Sequence, residues 1–177
     1  MYVHFGHYGT ACLDRATGQA LWRNDRLSYE SVNGNGGSAI LDGAISGVLR
    51  NRVYSLTASA GDTFLVRLLQ PDTRSIFKPR VDILDAGGNQ LQFFTGSDLS
   101  RVTFIAPADG VYTLLVADAQ DGAQAGDYSL SILRLNRPCD ATVLSCGGVV
   151  AGSIARSLAA GVYTWNAAAG ESFTVRM

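Results

Sequence analysis

Residues 43–68 recur, without a gap, as residues 152–177, and this repeat constrains the fold more than any other feature of the chain. Gly43 pairs with Gly152, Ile45 with Ile154, Leu49 with Leu158, and Val53-Tyr54 with Val162-Tyr163. Gly61, Phe64, Val66 and Arg67 pair with Gly170, Phe173, Val175 and Arg176, so the offset stays at 109 residues throughout. Solenoid and propeller units repeat every ~20–50 residues, so a period this long marks a domain. The expectation is one complete module and the first strands of a second.

Within the complete copy the apolar residues alternate, as strands require when one face is buried. Val53–Ala58 and Thr63–Leu68 flank the turn Ser59-Ala-Gly-Asp62, which reads as a hairpin. Arg80–Leu84 and Gln90–Phe94 flank Asp85-Ala-Gly-Gly-Asn89, and Arg101–Ile105, Val111–Val116 and Tyr128–Leu133 complete about seven short strands. Short strands at even spacing favour an all-β antiparallel sandwich of jelly-roll type. Tyr54, Phe64, Phe104, Tyr112 and Tyr128 fall on positions suited to its interior; an exposed stacking platform is the alternative. Gly61 and Gly170 stand where a tight turn requires positive φ. The best helix candidate, Ile154–Ala160, aligns with a segment that reads as a strand and its turn.

Composition narrows the function classes. Hydrophobic residues make up 47% of the chain and charged residues 16%, so disorder is excluded, and no apolar run approaches the ~18 residues of a membrane span. With 14 basic and 15 acidic residues and no block of like charge, nothing marks a nucleic-acid or membrane surface. No signal peptide opens the chain, and the sequence stops inside the repeat, so a longer parent chain is expected.

Several motifs bear on chemistry. Cys139 and Cys146 lie close together between the repeats, while Cys12 stands alone. A local disulfide between Cys139 and Cys146 is expected, in an oxidising compartment, with two free thiols as the alternative. His4 and His7, three apart in a strand-like stretch, point to opposite faces and do not share a metal. No Gly-x-Ser-x-Gly segment is present, and Gly34–Gly37 and Gly147-Gly148 lack the lysine of a phosphate loop. Asp118, Asp121 and Asp127 gather in one loop and offer oxygen ligands to calcium; a solvated acidic loop is the alternative. No catalytic site and no other cofactor is expected.

The ordered set Tyr54–Asp62, Val81–Gly88, Phe104–Tyr112 and Gly126–Leu130 resembles the bacterial pre-peptidase C-terminal domain, over residues 40–136 and again in part from residue 147. That family consists of β-sandwich modules appended to secreted proteases and other large extracellular proteins. The resemblance implies a non-catalytic accessory module of a secreted or surface protein, used for binding, spacing or anchoring. Its implied partners are neighbouring domains of the same parent chain and extracellular polysaccharide or protein.

Residues 2–22 differ in kind. Leu13-Asp14, Thr17-Gly18 and Trp22 resemble a blade of the pyrroloquinoline-quinone-type β-propellers, in which a strand ending in Leu-Asp, a Thr-Gly turn and a strand ending in Trp recur. An additional hairpin on the module is the alternative. The expected division is therefore a blade-like fragment over residues 1–39, the sandwich over 40–137, and a linker with the truncated copy over 138–177. Two other functions stay open: the tail of a quinone-type propeller dehydrogenase, and a carbohydrate- or protein-polymer-binding module.

Overall fold

The computed structural model describes residues 2–4, 10–13, 20–24, 31–32, 39–47, 50–136, 138 and 141–176, with side chains from residue 40 onward. Three strands come first: β1 (Tyr2–His4), β2 (Thr10–Leu13) and β3 (Ala20–Asn24). They form an antiparallel meander in which Cys12 and Trp22 are register partners on β2 and β3. The Thr17-Gly18 turn expected between β2 and β3 lies outside the described residues, as does His7.

The sandwich follows, built from β4 (Ser31–Val32), β5 (Ala39–Ile45), β6 (Arg52–Ala58), β7 (Thr63–Leu69), β8 (Pro79–Leu84), β9 (Gln90–Thr95), β10 (Leu99–Ile105), β11 (Gly110–Asp118) and β12 (Gly126–Arg134). One sheet has the order β10-β7-β12-β5 and the other β4-β6-β11-β8-β9. All of these pairings are antiparallel except β4 with β6. The seven strands expected from alternation are all present as β6 to β12, and the described residues contain no helix.

The period-2 pattern places one row of each strand between the sheets. Tyr54 and Leu56 of β6, Phe64, Val66 and Leu68 of β7, Leu114 and Val116 of β11, and Leu130 and Ile132 of β12 are all buried in one cluster. The five aromatics expected inside are buried there. Phe104 and Tyr112 meet edge to face at 5.2 Å, and the Tyr112 hydroxyl donates to the Ala108 carbonyl at 2.7 Å. The hydroxyls of Tyr54 and Tyr128 share a hydrogen bond of 2.6 Å, satisfying two polar groups that burial would otherwise penalise.

Two features differ from the sequence reading. The stretch from Gly43 is the end of a strand, since β5 runs Ala39–Ile45 and pairs with β12. Gly43 stands directly across from Tyr128, whose ring covers it so closely that a Cβ would lie 2.5 Å from the ring's Cζ and Oη. The parallel pairing of β4 with β6 is the second: it joins segments about 24 residues apart, which alternation within either one does not reveal.

Downstream of the sandwich, β13 (Thr142–Val143) and β14 (Tyr163–Thr164) form a two-stranded parallel pair. Tyr163-Thr164 occupy the repeat positions of Tyr54-Ser55 in β6, so a parallel partner from upstream recurs on the same strand. The following turn recurs as well. Gly61 and Gly170 both have positive φ, 79° and 87°. The Asp62 amide donates to the Ser59 carbonyl at 2.9 Å and the Glu171 amide to the Ala168 carbonyl at 3.2 Å. Asp62 Oδ2 accepts from the Ser59 amide at 2.9 Å, and Glu171 Oε2 from the Ala168 amide at 2.8 Å.

The core-facing pattern of the first hairpin also recurs, but without a core. Tyr163, Trp165, Phe173 and Val175 are exposed, whereas their counterparts Tyr54, Leu56, Phe64 and Val66 are buried. The rings of Trp165 and Phe173 lie tilted toward each other, at 6.0 Å between centroids. Residues 151–160, which include the helix candidate, form neither helix nor strand.

Candidate functional site

The three expected calcium ligands do not gather as a set among the described residues. Asp118 ends β11 and is buried; its Oδ1 accepts from the Lys78 amide at 3.2 Å and its Oδ2 from the Gln124 amide at 3.0 Å. Both oxygens therefore tie two loops to the sheet, a structural use of a buried carboxylate. Asp121 is exposed in the next turn, at positive φ of 57°. Asp127 is exposed on β12, a strand of the other sheet. Among the described residues, no three His, Cys, Asp or Glu side chains gather as a metal site. Of the expected disulfide, Cys139 lies outside the described residues, and Cys146 is exposed.

What the structure does assemble lies on the outer face of the five-stranded sheet. Arg80 and Asp82 are two apart on β8 and so share a face. Arg80 Nε lies 3.0 Å from each Asp82 carboxylate oxygen, and its Nη2 donates to Oδ1 at 2.6 Å. Asp82 stands directly across from Phe93 on the edge strand β9, and the Arg80 guanidinium lies 4.4 Å above the Phe93 ring centroid. The hydrogen bonds to Asp82 raise the Arg80 pKa further above its ordinary value. The guanidinium is thus a fixed cation held between a buried carboxylate and an aromatic ring.

Beside this clamp is an open depression of about 280 Å³, lined by Asn51, Arg80, Asp82, Asp118, Asp121 and Gly122 among others. Phe93 and Leu91, two apart on β9, are about half exposed at 51% and 41%. The face therefore offers an aromatic surface, a rigid donor group and carboxylate and amide acceptors. None of the described residues lining the depression is a histidine, serine or cysteine. The alternation of Arg80-Val-Asp82 was visible in the sequence, but the approach of Phe93 depends on the β8–β9 register.

No family model and no curated protein matches the chain. Solved structures similar to it include a periplasmic inhibitor of g-type lysozyme from Aeromonas hydrophila, at 20% identity over 59% of this chain and 96% of that one, with a TM-score of 0.46. The pre-peptidase C-terminal domain of a collagenase from Bacillus anthracis is similar at 19% identity over 62% and 99%, with a TM-score of 0.47. A carbohydrate-binding module solved with calcium and xylotriose is similar at 18% identity over 58% and 95%, with a TM-score of 0.36. The β-sandwich stands on this chain's own strand pairing.

Proposed function

We propose that the sandwich is a non-catalytic binding module of the pre-peptidase C-terminal type, carried by a secreted or surface protein, and that it grips an extracellular polymer with the outer face of its five-stranded sheet. The observation that supports this is the Arg80 clamp: a guanidinium fixed by Asp82 and Phe93 before a ligand arrives loses little freedom on binding. Exposed Phe93 and Leu91 supply apolar contact along the edge strand, and the neighbouring depression supplies polar partners. No described helix is long and apolar enough to cross a membrane.

The test is retention of the chain on insoluble polysaccharide and on insoluble protein polymers, with and without calcium. Retention that falls about tenfold in Phe93→Ala and in Arg80→Ala, with unchanged circular dichroism, supports the binding face. Equal retention of the variants, or none of the unaltered chain on any polymer, removes the binding role and leaves that of a spacer. A second reading, the tail of a quinone-type propeller dehydrogenase, draws on the three-stranded antiparallel meander of β1, β2 and β3. It requires a spectral change when pyrroloquinoline quinone is added to the chain.

A further inference from the structure

The four-stranded sheet has an outward face too, and strand register defines it. Arg67 of β7 stands directly across from Ser131 of β12, and Ser129 of β12 directly across from Asp42 of β5. All four alternate with core residues and so point away from the sandwich interior. An outward serine on a sheet face is ordinarily wet, yet Ser131 is fully buried. Arg67 Nη2 donates to Ser131 Oγ at 3.0 Å and to the Leu158 carbonyl at 2.7 Å. Leu158 belongs to the second copy and sits at φ of 62°, a backbone conformation that leucine seldom adopts without surroundings that hold it. One turn earlier, Arg156 Nη2 meets Asp42 Oδ2 at 2.6 Å, while Asp42 Oδ1 accepts from Ser129 Oγ at 2.6 Å.

We infer that the outer face of the four-stranded sheet is a docking seat for the second copy, with Arg67 as its latch, so that the two copies are held in a fixed relation instead of swinging on a linker. The inference rests on reading residues 152–176 as a second copy of the module. The repeat makes the contact directional. The repeat counterpart of Asp42 is Ala151 and that of Arg156 is Gly47, so the ion pair forms only when the first copy is the seat and the second the plug. Arg67, in contrast, has the counterpart Arg176, so the latch residue is present in both copies. Docking on this sheet leaves the Arg80–Phe93 face, on the opposite sheet, open to a ligand.

Trypsin cleavage of the full chain after Arg156, followed by mass spectrometry, tests the seat. Arg67→Ala is expected to speed that cleavage about tenfold or more, because it removes a charged hydrogen bond from the docked state. Arg101→Ala, on β10 of the same sheet, is expected to leave it unchanged. Should Arg67→Ala perturb the sandwich itself, the exposed pair provides an independent test: Asp42→Arg alone should speed cleavage at its neighbour, and the exchange Asp42→Arg with Arg156→Asp should restore protection, read by hydrogen exchange at the Ala159 amide. Cleavage of the unaltered chain as fast as that of Arg67→Ala, or no recovery in the exchanged pair, overturns the docking. Failure of the second-copy reading shows elsewhere, as rapid hydrogen exchange at Ala168, whose amide the Glu171 carboxylate holds.

Discussion

Gly43→Ala is the sharpest test of how the sandwich core is closed, because its repeat counterpart Gly152→Ala provides a matched control. A Cβ at residue 43 would lie 2.5 Å from Tyr128 Cζ and Oη and 3.0 Å from Cε2, against an ordinary carbon contact of about 3.5–4.0 Å. The ring must retreat by about 1 Å, yet it is fully buried and its hydroxyl is bonded to that of Tyr54 at 2.6 Å. Overpacking of this kind costs about 1–3 kcal/mol. Loss of the buried hydrogen bond adds about 1 kcal/mol. The better strand propensity of alanine returns about 0.5–1 kcal/mol. The net expectation is a loss of about 2 kcal/mol, or a fall of about 8–16 °C in the melting temperature of a domain this size. At residue 152 the added Cβ would meet only Tyr163 Oη at 2.8 Å, the far end of an exposed side chain that can turn away. Gly152→Ala should therefore stay within about 0.5 kcal/mol of the unaltered chain. Urea unfolding followed by circular dichroism reads both. Equal effects at the two positions, or a Gly43→Ala chain as stable as its parent, would refute the reasoning. A second change, Tyr128→Leu, should cost less in the Gly43→Ala background than alone, because it relieves the clash.

Three further outcomes are expected. Asp62 is buried, caps the Ser59 amide and pairs with Arg134 from 72 residues away; Asp62→Ala should cost about 3 kcal/mol in the same unfolding assay, since it breaks a largely buried ion pair and removes the cap. Ser129 and then Arg156 hold the Asp42 carboxyl below its ordinary value of 3.8, and Asn89 does the same for Asp85 in the β8–β9 turn. Because both values are depressed on folding, their contributions are complete above pH 3.8 and disappear as pH falls through the lower folded values; a carboxyl titration by NMR that shows neither depressed would contradict this. We also propose that Cys139 and Cys146 pair: mass spectrometry after alkylation should find one modified thiol without reductant and three with it, and three in both conditions would remove the bond.

Much of the sandwich could be read from local pattern. Alternation in Thr63–Leu69 or Gly110–Asp118 marks a strand because successive side chains point to opposite faces, a property of the backbone at that spot. The same holds for Gly61 and Gly170, where the turn geometry demands positive φ in both copies. The candidate site was far less legible. Asp118 and Asp121 looked like ligands because they are acidic and close in sequence, but only the fold shows that Asp118 spends both oxygens on backbone amides of two loops. The Arg80–Asp82–Phe93 clamp needs β9 to pair with β8 in one register, and the Arg67–Leu158 contact joins groups 91 residues apart.

The repeat shows where this division falls. Its sequence alone determined the turn with its positive-φ glycine, since that depends on residues within a few positions of one another, but not the strand after it, which forms as β7 and is absent over residues 171–176. Whether the alternating apolar residues form paired strands and are buried was decided only by tertiary structure. Phe64 and Val66 lie in the core cluster between the two sheets, whereas Phe173 and Val175, with the same identities, lie open, because burial is a property of what packs against a residue and not of the residue itself.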